Sequence, residues 1–402
     1  MDRVLVAVFF SCPRSVRELH CHLNDCVRPP HQAGSGVISS PADTSDVTLM
    51  RQHAPLDNLT ELSIGGDFHP RIEDLFAMLM NCPKIVTLEI PRIRLPFQTS
   101  LVTPSFAKHC PNLQNLAQRV AGKNYSQCII MSIVLAMAEG LFKSLKIRGF
   151  NDTNDRLCST LQPHFESLVC IYFDGCKSVS GRAILTVLCS CPVLEEFVVG
   201  SSSSFPECFI ALEDATTHNW VATRLKTLCM IVYIKDIDYL DLCLNWDEYT
   251  SQEQLTLLQL DSFYKQIGAL VDLKDLDLRL CPCLKEGESS GAGDGEDHSD
   301  GNIPEYFHRS LPGLMTLGSN VRSNDRGWLQ CLSGLSKLEF LSGSINVIVG
   351  TDECVLNQDD VRWIATHWPK LKEAHFVCQD QKGIPECLVW LRKELPGLCL
   401  FP

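Results

Sequence analysis

The 402-residue sequence predicts an α/β solenoid, with a curved parallel sheet on its concave face and helices on its convex face. Three observations carry this. One phrase recurs along the chain: an apolar helical stretch, a Cys or Trp, a Pro, then a short apolar strand. The strand half of the phrase has Leu-x-x-Leu-x-Leu spacing or a conservative version of it. The helical half has apolar residues at the three-four spacing of one helix face.

The phrase appears as "VFFSCPRSVRELHC", "AMLMNCPKIVTLEI", "SFAKHCPNLQNL", "TVLCSCPVLEEFVV" and "IATHWPKLKEAHF", with Cys12, Cys82, Cys110, Cys191 and Trp368 in front of the prolines. Proline has no N–H to donate and disfavours the helical region for the residue before it, so each helix stops there. The chain then extends into a strand. Three copies are nearly complete leucine-rich repeats: Val16-x-x-Leu19-x-Cys21-x-x-Asn24, Leu168-x-x-Ile171-x-Phe173-x-x-Cys176 and Leu273-x-x-Leu276-x-Leu278-x-x-Cys281. Further strands are anchored at Leu62, Leu88, Leu116, Leu145, Phe197, Leu228, Leu317, Leu341, Ala374 and Phe401. Most consecutive anchors lie 24 to 33 residues apart, and three longer intervals mark inserts. One such motif is weak evidence, because any buried strand can produce it; many in quasi-register are strong.

Among the helices, Ile72, Leu75, Phe76, Leu79 and Met80 share one face, as do Val361, Ile364, Ala365 and Trp368. Pro70 opens the first, Asn357 precedes the second, and Thr250 with Glu253 forms a capping box for a helix running to about Leu270. The segment 28–46 is turn-rich and reads as a flexible insert. Residues 285–302 are acidic without large apolar side chains and read as a disordered loop. Residues 231–249 are acidic but aromatic and read as an ordered insert. With inserts accounting for the long intervals, residues 1–402 form a single repeat domain. The opening "VLVAVFFSCP" repeats the layout of "LFAMLMNCP" and lacks the positive start and small-residue cleavage site of a signal peptide. The chain thus starts in mid-repeat, which leads us to expect a further segment upstream.

A formal net charge of −13 argues against nucleic acid and anionic membrane surfaces as partners, since both need concentrated Lys and Arg. No apolar run is long enough to span a membrane. The 21 cysteines are odd in number, dispersed, and never spaced Cys-x-x-Cys, which suits core thiols in an intracellular, cytoplasmic or nuclear protein. "HCHLNDC" at 20–26 offers metal-competent side chains, but strand alternation sends Cys21 inward and His20 and His22 outward, so no metal site is expected. No Walker loop or dinucleotide glycine motif is present, so neither cofactor nor catalysis is expected.

Alternation also assigns the working surface. The outward residues that matter for binding are His20, His22, Glu61, Glu89, Lys146, Arg148, Tyr172, Asp174, Glu196, Asp275, Asp277, Arg279, Phe340 and His375. Carboxylates prevail, with a basic spot at Lys146 and Arg148, so the surface suits a protein segment carrying Lys or Arg, with Tyr172 and Phe340 as aromatic anchors.

Cysteine-bearing repeats with Cys-Pro-x-Leu-x-x-Leu strand starts resemble the repeat domain of F-box/leucine-rich-repeat proteins, and "DDVRWIATHWPKLKEAHF" and "QIGALVDLKDLDLRL" look like the fungal set in particular. The resemblance implies a substrate receptor of an SCF ubiquitin ligase, serving ubiquitin-dependent protein degradation. In that family an F-box docks a Skp adaptor and cullin while the repeats hold the protein substrate. No Leu-Pro-led module of F-box size precedes Val16, so adaptor docking is carried over to no residue here. The rival readings are a stand-alone repeat scaffold or small-GTPase regulator, akin to ribonuclease-inhibitor-like proteins, and a secreted repeat receptor.

Overall fold

The computed structural model describes residues 12–23, 56–66, 75, 78–90, 106, 108–118, 127–149, 156–176, 179–200, 208–234, 251–281, 311, 314, 317, 327–343, 346–347, 358–375, 377–378 and 386–401. The chain divides into two compact units, Met1–Ser178 and Val179–Pro402. Both have the α/β build of a leucine-rich-repeat solenoid, with sequential parallel strands alternating with helices. The first eleven residues and the segments 28–46 and 285–302 lie outside the described residues.

In the first unit the strands are β1 (Glu18–Leu23), β2 (Glu61–Gly66), β3 (Thr87–Ile90), β4 (Asn115–Gln118), β5 (Ser144–Arg148) and β6 (Cys170–Asp174). Each pairs in parallel with the next, and the register aligns Leu19, Leu62, Leu88, Leu116, Leu145 and Ile171 in one row. Helices α1 (Gln127–Ala136) and α2 (Arg156–Leu161) precede β5 and β6. In the second unit β7 (Glu196–Val199), β9 (Thr227–Tyr233), β10 (Asp275–Leu280), β11 (Phe340–Gly343), β13 (Glu373–His375) and β15 (Cys399–Phe401) follow one another in the same manner. The helices there are α3 (Gly181–Ser190), α4 (Leu212–Thr216), α5 (Ser251–Gly268), α6 (Gln358–His367) and α7 (Glu386–Glu394). Short β8 (Ile210–Ala211) joins the end of β9, and β12 (Asn346–Val347) pairs with β14 (Val377–Cys378).

The core follows the motif. Leu59, Leu62 and Ile64; Ile85, Leu88 and Ile90; Leu273, Leu276 and Leu278 are all buried, as the three leucine positions require. Burying each such side chain contributes about 1.5–3 kcal/mol. Ahead of four of the strands, the carbonyl before the proline accepts an N–H three residues on: Ile85 to Cys82, Leu113 to Cys110, Leu194 to Cys191 and Leu371 to Trp368, at 3.1–3.3 Å. Proline suits the second place of such a turn because its φ is already set. The same turn at Leu395-Pro396, closed by Leu398, is a Leu-Pro version of the phrase. Buried thiols of Cys82, Cys110 and Cys191 fill the helix-end position, and burial pushes the Cys110 thiol up to about 12.

The structure corrects three details. Leu317 anchors no sheet strand: Leu276 pairs directly with Leu341, and the Leu317 N–H donates to the buried carboxylate of Asp360 at 2.8 Å. The last anchor is Leu400, which lies beside Ala374, while Phe401 lies beside His375. The insert placed at 231–249 starts later, because Ile231, Val232 and Tyr233 complete β9 against β10 and β8; residues 235–249 lie outside the described residues.

His164, in the 3₁₀ turn Gln162–His164, is fully buried with its ring edge-on to Phe142 and Nε2 3.3 Å from the Val134 carbonyl. Burial holds its pKa below the ordinary histidine value, against the opposing pull of that carbonyl and of Glu139. The neutral ring is therefore the folded form. Below the ordinary value of 6.5 the unfolded chain binds the proton first, so the stability this group contributes is present above that pH and is lost as pH falls. The melting temperature of wild type should drop more steeply between about pH 7 and pH 5 than that of His164→Phe. Equal slopes in a calorimetric pH series would refute this.

Candidate functional site

The outward face of each sheet is built from the x positions of the motif, so its rows are set by strand register. In the first unit one row runs His20, Ser63, Glu89, Ala117, Lys146, Tyr172. Lys146 is exposed beside Tyr172, and His20 Nε2 lies 3.8 Å from Glu61 on the neighbouring strand. Arg148 is turned to Asp174 at 2.7 Å, and Asp174 is buried, so this pair is closed upon itself. His22 pairs with Gly65 in the register, and its side chain lies outside the described residues. Glu89, expected on the solvated face, is buried and accepts a 2.6 Å hydrogen bond from the Ser63 hydroxyl.

In the second unit the first outward row is Glu196, Thr227, Asp275, Phe340, Glu373, Cys399. The next row places Cys229, Asp277 and Ser342 side by side. Asp277 is buried and saturated: Arg279 donates to both of its oxygens at 3.0 and 2.6 Å, and the Cys229 thiol donates to one at 3.4 Å. Burial, with Asp277 beside it, pushes the Cys229 thiol far up, so it stays protonated. His375 Nε2 lies 2.7 Å from Glu373. Asp275 is half-buried, and its pKa is raised by burial, then by the like charges of Asp277 and Glu373. Phe340, between Asp275 and Glu373, is 39% exposed.

A second charged surface, at the residues leading into the strands, escaped the sequence reading. Arg224 and Lys226 both reach Glu195, at 3.4 and 2.6 Å; Lys337 reaches Asp272 at 2.5 Å; and Lys372 pairs with Glu339. The Lys337 contact holds the Asp272 carboxyl below its ordinary value, and Lys372 does the same for Glu339. Each exposed pair contributes little, because solvent screens it. The row neutralises itself, so the candidate surface is the outward face rather than this edge. The signal was legible as the Leu-Lys and Leu-Glu pairs Leu225-Lys226, Leu371-Lys372, Leu194-Glu195 and Leu338-Glu339 ahead of strands of the second unit, but it needs the register to show which of them meet.

Among the described residues, no group of His, Cys, Asp and Glu is arranged to hold a metal ion, and no helix is long and apolar enough to cross a membrane. No model of a known protein family and no curated protein matches the chain.

Proposed function

We propose that the protein is a non-catalytic protein-binding repeat module, serving as the substrate receptor of an F-box-type SCF ubiquitin ligase in ubiquitin-dependent degradation. The observation that carries the binding role is the outward face of the second unit, where an exposed phenylalanine stands among carboxylates on consecutive strands. An aromatic ring left in water at the middle of a polar sheet is the composition of an interface centre, with the polar residues as its rim. The titratable groups beside it, Asp277, Arg279 and Cys229, are engaged with one another, as suits a binding surface better than a reaction centre. The mechanism is positional: the repeats hold the target while the partner machinery transfers ubiquitin. The ligase assignment rests on the resemblance of the Cys-Pro repeats to F-box/leucine-rich-repeat proteins.

Affinity purification of the protein expressed from its own locus tests this. We expect a Skp adaptor and a cullin in the eluate, together with a target whose abundance rises when the locus is deleted. Recovery of a small GTPase without adaptor or cullin would replace this reading with that of a GTPase regulator.

A further inference from the structure

We infer that Asp275, Phe340 and Glu373 form a seat for an arginine or lysine side chain of an extended partner segment lying across the outward face of the second unit. The inference rests on the reading of that face as a docking surface and names the chemistry it takes.

The placement comes from register. Phe340 on β11 is paired on one side with Asp275 of β10 and on the other with Glu373 of β13. Neighbouring strands lie about 4.8 Å apart, so the two carboxylate-bearing positions flank the ring at a separation of roughly 10 Å. A guanidinium or ammonium over the exposed ring is then within reach of either one. Attraction to the ring face adds to the ionic contact, and a planar guanidinium can also fork to a carboxylate.

Charge complementarity selects a cation as the occupant. Asp277, two residues along β10, already receives three donors, two of them from Arg279. Among the described residues no cation is paired with Asp275, and the influences on its carboxyl are burial and two like charges. An incoming positive charge relieves that repulsion. His375 partners Glu373 from within the same strand, so of the two flanking carboxylates Asp275 is the one to which no described cation is paired. The first unit has no equivalent arrangement among its described residues: there Tyr172 is paired in register with Lys146, which repels a cation.

The test uses the full chain and a fluorescein-labelled peptide alternating glycine and arginine, with a citrulline version that keeps the shape and removes the charge. We expect the arginine peptide to bind and the citrulline peptide to bind at least tenfold more weakly. Asp275→Asn should weaken binding about tenfold, and Phe340→Ala about fivefold, without any change in net charge. Asp272→Asn makes the same charge change at the self-neutralised edge and should leave affinity within about twofold. Glu373→Gln serves as a second variant should Asp275→Asn melt early. The inference is overturned if the arginine peptide does not bind, if Phe340→Ala binds it like wild type, or if Asp272→Asn weakens binding as much as Asp275→Asn, which would mean attraction to net charge alone. If adaptor and target are recovered from cells and the peptide fails, this seat alone falls; if the peptide binds and the adaptor is not recovered, only the ligase reading falls.

Discussion

Replacing Gly268 with alanine should lower the melting temperature of the second unit by about 6–12 °C, although Gly268 is a helical residue. Helix propensity alone gives the opposite sign, since alanine in place of glycine favours a helix by about 1 kcal/mol. Packing overrides it. A Cβ at Gly268 would stand 1.9 Å from the carbonyl oxygen of Cys331 and 2.9 Å from its carbon. Across the same contact, a Cβ at Gly334 would stand 2.2 Å from the carbonyl oxygen of Gly268. Both obstacles are backbone, so no side chain can swing aside; α5 and the 3₁₀ turn Leu329–Gly334 would have to separate. A forced shift between two packed segments costs about 3 kcal/mol or more, well beyond the propensity gain. Gly397→Ala is the control, because nothing lies within 4 Å of its added carbon, and it should move the melting temperature by less than about 2 °C. A calorimetric scan in which Gly268→Ala melts at or above wild type would show that the two backbones are not in contact.

This contact also marks the limit of what the sequence could tell. The period of the leucines and the proline after each helix made the strands, their order and most of their register legible, because both signals are local and repeat. Leu62, Leu88, Leu116 and Leu145 stand in one row as their spacing required. Leu317 failed because a Leu-x-x-Leu-like match says nothing about whether a strand finds a neighbour; its N–H is taken by Asp360 and the sheet passes it by. Gln118 and Gly343 hold third-leucine positions that an amide and a glycine occupy. Gly343 is explained by close approach: at φ +116°, an added Cβ would lie 1.9 Å from the Leu278 carbonyl oxygen. On the outward face, the register sets Asp275 beside Phe340, and Asp277, two residues along the same strand, is buried. Alternation could not show that Arg279 donates to Asp277, or that Glu89 and Asp174 are buried, since pairing across strands is settled by side-chain geometry and not by period.

Trp368→Cys should destabilise the protein by about 3–5 kcal/mol, even though it restores the residue found before proline in the other four copies of the phrase. Cys82, Cys110 and Cys191 are each fully buried, the last at the end of the regular helix α3. Before β11 the chain forms only a six-residue 3₁₀ turn, Leu329–Gly334, which offers less bulk than an α-helix. The volume is made up by aromatic rings: Tyr264 meets Trp328 at 5.7 Å between centroids, and Trp363 meets Trp368 edge-on at the same separation. Trp368 is itself fully buried and its indole N–H donates to the Leu332 carbonyl at 3.3 Å. A cysteine there removes most of a large side chain and one of the two donors to that carbonyl, the Leu335 N–H at 3.1 Å remaining, so the cavity is the main loss and the hydrogen bond adds to it. Trp368→Phe should keep most of the volume and lose about 1–2 kcal/mol, mainly through the hydrogen bond. Cys191→Ala, at the corresponding position of a regular repeat, should lose only about 1 kcal/mol. Urea midpoints at constant slope would rank the three variants, and a Trp368→Cys midpoint no lower than that of Cys191→Ala would refute the view that the short turn sets the size of its neighbour's anchor.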